Sequence, residues 1–484
     1  MYILENLQPK KVFKFFEEIS RIPRGSGNEL EVAKYIENFA KERGLWVIRD
    51  DFHNVIIKKD ATAGYENSPV VMLQGHIDMV CEKNAGTVHD FEKDPIKLVI
   101  DGEFLRADGT TLGADNAVAV AYAMAILDSN NLNHPALEVL LTADEEQGMS
   151  GAINVDGSLF KATRMINLDS SPEGHFYAGC SGGMRQLITL NLTREAVPVD
   201  YSAYAIKVRG LNGGHSGNAI HLELANSNKI IGRAFQTISK ITDMRILEIF
   251  GGLKENAIPR EADSIIFMPK SDQKDVENDI KTLENVLKKE FRLSDNGVFV
   301  IFEEINCDKN LAFDKASTKK IMQALNIIPS GLLHKSLEIQ GLTETSTNLG
   351  VVETDGDKVI LTSASRSSVA SRKEYMKQVF ASIAEALDAE ILVRNEYPAW
   401  EFNPNSELRD IAMATYKEMF GKEPKLTATH GGLECGLLLE KIPSIDIVAF
   451  APTMIGIHTP EEKLDIASTE RVYNLLVKVL EKLR

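Results

Sequence analysis

Apolar positions along this chain follow two periods, and the change from one to the other marks the elements. From Pro9 to about Gly44, Val12, Phe13, Phe15 and Phe16, then Val32, Tyr35, Ile36 and Phe39, recur close to i, i+3, i+4 spacing. This predicts two amphipathic helices around a turn at Arg21 to Gly27. β-rich runs follow at Leu45 to Ile48 and Asn54 to Lys58. Next comes PVVMLQGHID, Pro69 to Asp78, whose Val70 to Leu73 segment reads as a buried strand. Leu98 to Arg106, with Asp101-Gly102 at its middle, predicts a hairpin. The alanine-rich run Ala117 to Leu127 predicts a helix, and Glu138 to Thr142 and Arg164 to Leu168 predict strands. Strands and helices alternating in this order predict a mostly parallel sheet with helices on its faces.

The pattern breaks at the glycine-rich AGCSGG, Ala178 to Gly183. From about Leu187 to about Val393, strands such as Ala203 to Val208, Ile265 to Met268 and Val298 to Phe302 alternate with helices such as Asp275 to Glu290. A glycine-rich turn, GLNGGHSGNAIH, lies among them. Two helix-plus-strand units stand out here, without a repeat that the sequence establishes. Beyond Trp400 the earlier pattern resumes, with a helix at Leu408 to Phe420, a strand at Ile445 to Phe450 and a helix at Thr469 to Leu483. The expected fold is α/β: a mostly parallel-sheet core built from residues 1–186 and 394–484, with residues 187–393 inserted as an α+β lid domain.

Composition narrows the class. The 484 residues are enough for more than one domain, and 44% hydrophobic with 26% charged residues is ordinary for a soluble globular protein. A net charge of −16 argues against nucleic acid and anionic membranes as partners. The four cysteines, Cys81, Cys180, Cys307 and Cys435, form no CxxC pair, so neither a disulfide framework nor a zinc knuckle is expected. No apolar run reaches the ~18 residues of a membrane span, and the charged N-terminal stretch lacks a signal-peptide apolar region. The cytoplasm is the expected location.

Chemistry collects where the predicted core strands end. His76 and Asp78 leave one strand two positions apart, which on extended chain places them on the same side. Asp115 opens the alanine-rich helix, Glu145 and Glu146 follow Leu140-Leu141-Thr142, Asp169 follows Ile166-Asn167-Leu168, and His458 follows the Ile445 strand. Each has an ordinary role when taken alone: Asp115 as an N-cap, the glutamates as a helix-opening turn, Asp169 as a turn former, His458 as a loop residue. Together, with Asp78 set aside as an orienter of His76, two histidines and three carboxylates, with one carboxylate left over, suit two divalent metal ions, zinc first, with manganese or cobalt as alternatives. In open α/β sheets, ligands bind outside the carboxyl ends of the strands.

The ordered series GHIDMV, DGTTLGADNA, LTADEEQGMSGA, INLDS, NGGHSG and GIHTPEE resembles the motifs of the M20 metallopeptidase family, in particular its aminoacyl-histidine (cytosol non-specific) dipeptidases. The series spans nearly the whole chain. The resemblance implies His76, Asp115, Glu146, Asp169 and His458 as metal ligands, with Asp115 bridging. It implies Asp78 as the carboxylate orienting His76, and Glu145 as the catalytic base. It further implies metal-assisted amide hydrolysis, in which Glu145 takes a proton from the attacking water and returns it to the leaving amine. His215, in GGHSG, resembles the histidine that stabilises the oxyanion, which in many relatives comes from the partner subunit of a dimer. Arg366 resembles the arginine that binds the substrate carboxylate, and Asn256 a lid asparagine near the substrate. His430, Gly431 and Gly432, in HGGLE, resemble a loop offering backbone N–H groups to a terminal carboxylate, with the individual roles of His430 and Glu434 open.

The expected activity is therefore that of a dipeptidase of broad specificity, including Xaa-His dipeptides, working as a homodimer through the lid domain. Two alternatives stay open. One is the same metal chemistry on N-acyl amino acids, as in aminoacylases, deacetylases and desuccinylases, against which the large inserted domain argues. The other is a metal-binding dimer without catalysis.

Overall fold

The computed structural model describes residues 2–484. The chain divides into two compact units: one runs to Cys180 and adds Phe402–Ala428 and Leu433–Arg484, and the other is Ser181–Glu401 with Thr429–Gly432.

The first unit is built on an eight-stranded sheet in the order Trp46–Arg49, Val55–Lys59, Leu137–Thr142, Val71–His76, Arg164–Asn167, Asp446–Ala449, His175–Cys180, Lys425–Thr429. The strands from Leu137–Thr142 to Asp446–Ala449 run parallel, whereas Trp46–Arg49, Val55–Lys59 and His175–Cys180 pair antiparallel, so the sheet is mixed. Parallel strands covered on both faces read as continuous apolar runs, and Leu137–Thr142 and Val71–His76 are buried at every position. Register places His76 beside Thr142 and Gln74 beside Asn167. The strands bearing the candidate ligands therefore release their chains at one edge.

The N-terminal helix Lys10–Ser20 buries Val12, Phe13, Phe15 and Phe16, as its spacing predicts. Phe15 meets Phe39 of helix Leu30–Glu42 edge to face, with centroids 5.2 Å apart. Each fully buried phenylalanine contributes roughly 1.5–3 kcal/mol. The alanine-rich helix Ala114–Leu127 is buried everywhere except at Asp115, and Asp115 and Asn116 depart from helical dihedrals, so regular helix begins at Ala117. Its small side chains let it lie directly on the His76 strand. A Cβ at Gly75 would stand 2.6 Å from the Ala119 Cβ and 2.4 Å from Asn116 Oδ1, so only glycine fits this approach.

The second unit holds a nine-stranded sheet. Its main path runs Phe299–Ile305, Tyr201–Arg209, Ala262–Pro269, Arg245–Gly251, Thr343–Asp355, Lys358–Ser367, Gly182–Asn191, Glu390–Tyr397, with Gly331–Lys335 also pairing Thr343–Asp355. Adjacent strands are antiparallel, and the middle of the path is a waist where Arg245–Gly251 and Thr343–Asp355 share only the pairs Phe250↔Glu353 and Gly251↔Val352. The expected domain limits at 186/187 and 393/394 would cut strands Gly182–Asn191 and Glu390–Tyr397. These pair with each other from Thr189↔Glu390 to Gly183↔Tyr397, so the division moves out to the strand ends. Each unit has its own apolar core. Among the described residues no helix is long and apolar enough to cross a membrane.

Candidate metal centre

His76 is the last residue of its strand and almost wholly buried. Its Nδ1 lies 3.2 Å from Asp78 Oδ1. With Nδ1–H donating to that carboxylate, the Nε2 lone pair faces the other way, where Asp115 Oδ1 stands at 3.1 Å and Asp169 Oδ1 at 3.7 Å. On the opposite side, His458 Nε2 lies 2.9 Å from Glu146 Oε1 and 3.4 Å from Asp115 Oδ2. Asp115 thus turns one oxygen toward each histidine. Ligand atoms of His76, Asp115 and Glu146 all lie within 4.8 Å of one another.

Local backbone sets these directions. Asp144 adopts φ +57° and His458 φ +65°, left-handed values uncommon for residues with side chains. After Asp144 the chain turns so that the N–H groups of Glu145 and Glu146 donate to Asp78 Oδ1 and Oδ2 at 3.1 and 3.2 Å. Ser26 Oγ donates to Asp78 Oδ2 at 2.8 Å. Asn116, joined to Asp115 by a cis peptide, accepts the N–H of His76 at 3.1 Å and donates to Leu168 O at 2.9 Å, tying together the strand ends before His76 and Asp169.

Two buried charged residues that sequence reasoning missed complete the frame. Glu462 accepts the N–H groups of Leu112 and Gly113 at 2.8 Å and that of Asp115 at 3.3 Å. Arg24 donates to the carbonyls of Ile77 at 3.0 Å, Asp78 at 2.7 Å and Gly113. Glu462 belongs to the GIHTPEE stretch, whose second glutamate was a usable signal, whereas nothing in the pattern around Arg24 marks it.

The electrostatics are those of a cation site. Burial works against ionising Asp115, but its hydrogen bonds to His458 and His76 hold it well below the usual carboxylate range. Burial, reinforced by the charge of Asp115, pushes Asp169 well up. Burial likewise opposes Asp78, yet the hydrogen bond and charge of His76 bring it to about 2. His458 is raised to about 10 by its contacts with Asp115 and Glu146. Glu145 is raised to about 8, first by burial and then by the charges of Glu434, Glu146 and Asp115, with His76 opposing. Carboxylates this close and this buried repel one another, and divalent ions are the natural counter-charge. Two imidazoles and three carboxylates, one with its oxygens facing apart, fit a pair of such ions.

In the second unit, His215 precedes the short helix Ser216–Ala219. Its Nδ1 accepts the Gly217 N–H at 3.2 Å, which leaves the proton of the neutral ring on Nε2, an exposed donor. Burial, then the charges of Arg366 and Arg185, lower its pKa and favour this neutral form. Arg366 is buried, and its Nη1 donates to Tyr397 Oη at 2.9 Å while its Nε has no partner among the described residues. The Asn256 carbonyl accepts the Ser216 N–H at 2.8 Å, beside the pair His215↔Ala257. His430, whose own role the sequence leaves open, has both ring nitrogens engaged within the second unit. It is buried, with Ser181 Oγ 2.9 Å from Nδ1 and Ser346 Oγ 2.7 Å from Nε2, the geometry of a strut. The Gly431 N–H is also engaged, donating to Thr429 Oγ1 at 3.0 Å.

Comparison with known proteins identifies the family. The chain is 39% identical to the cytosol non-specific dipeptidase of Escherichia coli over 481 residues, 99% of each chain. The crystal structure of aminoacylhistidine dipeptidase from Vibrio alginolyticus superposes with a TM-score of 0.93 at 38% identity, covering 99% of this chain and 98% of that one. Aminopeptidase PepT from Bacillus cereus, at 17% identity and a TM-score of 0.56 over 99% of both chains, shares the fold. The model of peptidase family M20/M25/M40 matches residues 72–482, and the chain belongs to that family.

Proposed function

We propose that this protein is a metal-dependent dipeptidase of broad specificity that includes Xaa-His dipeptides among its substrates and works in the cytoplasm. The observation that carries the reading is Asp115, whose two oxygens face His76 and His458 separately, with Asp169 and Glu146 beside them. His76, Asp115 and Asp169 would hold one divalent ion and Asp115, Glu146 and His458 a second, zinc being the first choice and manganese or cobalt alternatives. Such ions, when bound, supply Lewis-acid polarisation of the scissile carbonyl and acidify a water.

The protein's own groups do the rest. Glu145, outside the ligand set, removes the proton from the attacking water and delivers it to the leaving amine; its raised proton affinity suits that exchange near neutral pH. Asp78 keeps the His76 ring oriented and fixes the turn that presents Glu145. The exposed Nε2–H of His215 is assigned to the tetrahedral oxyanion and the Arg366 guanidinium to the substrate carboxylate, with Asn256 lining the approach. Residues 181–401 are assigned to a lid through which the protein dimerises.

The names of the relatives support dipeptides as substrates, since one is a non-specific dipeptidase and the other an aminoacylhistidine dipeptidase. Release of free amino acids from a dipeptide panel that includes Xaa-His members, with and without chelator, tests the reading. Chelator-sensitive cleavage is expected. Turnover confined to N-acyl amino acids, or none with metal bound, would overturn it.

A further inference from the structure

We propose that Glu434 is a positioning residue for the metal centre, its buried carboxyl clamping Gln74 and Thr142 so that the strand ends bearing His76, Glu145 and Asp169 stay in register. The proposal rests on the metal-centre reading above.

Glu434 opens the helix Glu434–Lys441 and is 2% exposed. Its Oε2 accepts from Gln74 Nε2 and from Thr142 Oγ1, both at 2.6 Å. Gln74 stands on the strand that ends at His76, and Thr142 is the last residue of the strand leading to Glu145 and Glu146. The chain of contacts goes on: Gln74 Oε1 accepts from Asn167 Nδ2, and Asn167 Oδ1 accepts the Asp169 N–H at 3.2 Å. One carboxyl oxygen is therefore coupled through side chains to the ends of three neighbouring parallel strands.

Nothing about stability calls for this arrangement. A carboxyl buried among sheet strands is costly unless a cation or a full set of donors meets it. Glu434 forms no ion pair with a lysine or arginine among the described residues, and its Oε1 has no hydrogen-bond partner there. Burial accordingly raises its pKa to about 7. Gln74 and Thr142, for their part, are buried polar residues on neighbouring strands, and Glu434 is the acceptor they share. What the cluster supplies is alignment, because sub-ångström placement of ligands and base decides metal affinity and rate.

The test uses the metal-loaded full-length protein and the variants Glu434→Ala, Glu434→Gln, Thr142→Val and the double Thr142→Val/Glu434→Ala. Two readouts are taken: the rate at which metal passes to a chelator, which needs no substrate, and kcat and KM on a cleaved dipeptide. Glu434→Ala is expected to release metal and to lose kcat by about tenfold or more, with KM little changed. Glu434→Gln should stay within about threefold of the parent, because a single amide oxygen still accepts both donors. Thr142→Val should fall between them, and the double variant should be no worse than Glu434→Ala, as expected for one shared node. Parent-like metal release and kcat in Glu434→Ala, or a Glu434→Gln variant as impaired as Glu434→Ala, would overturn the proposal. Should Glu434→Ala fail to fold, Thr142→Val decides alone: parent-like behaviour there overturns it. A parent protein that binds metal but cleaves no dipeptide would refute the substrate reading while leaving the metal-release comparison valid.

Discussion

Asp78 and Glu145 are joined at 3.1 Å, carboxylate Oδ1 accepting backbone N–H, and the same oxygen stands 3.2 Å from the Nδ1 of His76. One buried side chain thus sets both the direction of a metal ligand and the position of the proposed base. Asp78→Asn keeps the shape but offers a single oxygen to the donors from His76, Ser26, Glu145 and Glu146, and turns an N–H₂ toward some of them. We expect metal affinity and kcat/KM to fall about 10–100-fold. Metal titration beside steady-state kinetics checks this, and parent-like values in both would show that the orientation is set elsewhere.

Glu145→Gln separates catalysis from metal binding. The side chain is outside the ligand set, so metal stoichiometry should stay near that of the parent. The amide cannot accept the water's proton, and kcat should drop by about 10²–10⁴-fold. Metal analysis and turnover on the same preparation decide the matter, and undiminished turnover removes Glu145 from the base role.

Much of this centre was legible because it lies where apolar runs stop. His76 ends, and Glu145–Glu146 and Asp169 each follow, a strand buried for most of its length, and the sheet brings those ends to one edge. Asp115 taken alone read as a helix cap, and only the family resemblance marked it as a bridging ligand; in the structure its two oxygens face the two histidines separately. Arg24 and Glu434 could not be assigned from spacing, and Glu462 showed only as the second glutamate of GIHTPEE, because their partners are brought near only by tertiary packing: Glu462 holds Leu112 and Gly113 across about 350 residues of chain. The surroundings of His430 were hidden for the same reason, since Ser181 and Ser346, which occupy its ring nitrogens, are remote in sequence. The expected mostly parallel sheet left the direction of its outer strands open, because short strands carry the same apolar signal in either direction.

Gly75→Ala tests the close packing of the alanine-rich helix on the His76 strand. The added methyl group would sit 2.4 Å from Asn116 Oδ1 and 2.6 Å from the Ala119 Cβ, and neither neighbour is the end of a long flexible chain. Overpacking of this kind costs about 1–3 kcal/mol. Displacing Asn116 also loosens its hydrogen bond to the His76 N–H, so weaker metal binding should accompany the lower stability. A variant with unchanged melting temperature and metal affinity would contradict the packing described here.

Metal removal should lower the melting temperature, because the clustered carboxylates then repel without a counter-charge. Re-addition should restore about 2.7 kcal/mol per bound ion at a free metal concentration of 100 times its Kd. His458, held at about 10 by Asp115 and Glu146, must give up its proton to become a ligand. Binding at neutral pH should therefore release protons, and affinity should rise with pH. Calorimetry in buffers of different ionisation enthalpy reads the proton count directly, and a count of zero would contradict this account of His458.

Acid stability has a distinct source in His430, whose burial, aided by the charge of Arg366, depresses its pKa to about 3. An unfolded chain takes up a proton at this histidine below about pH 6.5, while the folded protein declines it until about pH 3. Between those values the unfolded state binds more protons, so stability falls as pH falls. From pH 7 to pH 5 the contribution lost is about 2 kcal/mol, at 1.36 kcal/mol per pH unit below the unfolded value. His430→Gln keeps a neutral hydrogen-bonding group between Ser181 and Ser346 but cannot titrate. It should be less stable than the parent at pH 7, by about 1 kcal/mol for imperfect bonding, yet lose about 2 kcal/mol less on going to pH 5. Denaturant unfolding at the two pH values gives the comparison, and an acid loss identical to the parent's would show that His430 is not the group responsible.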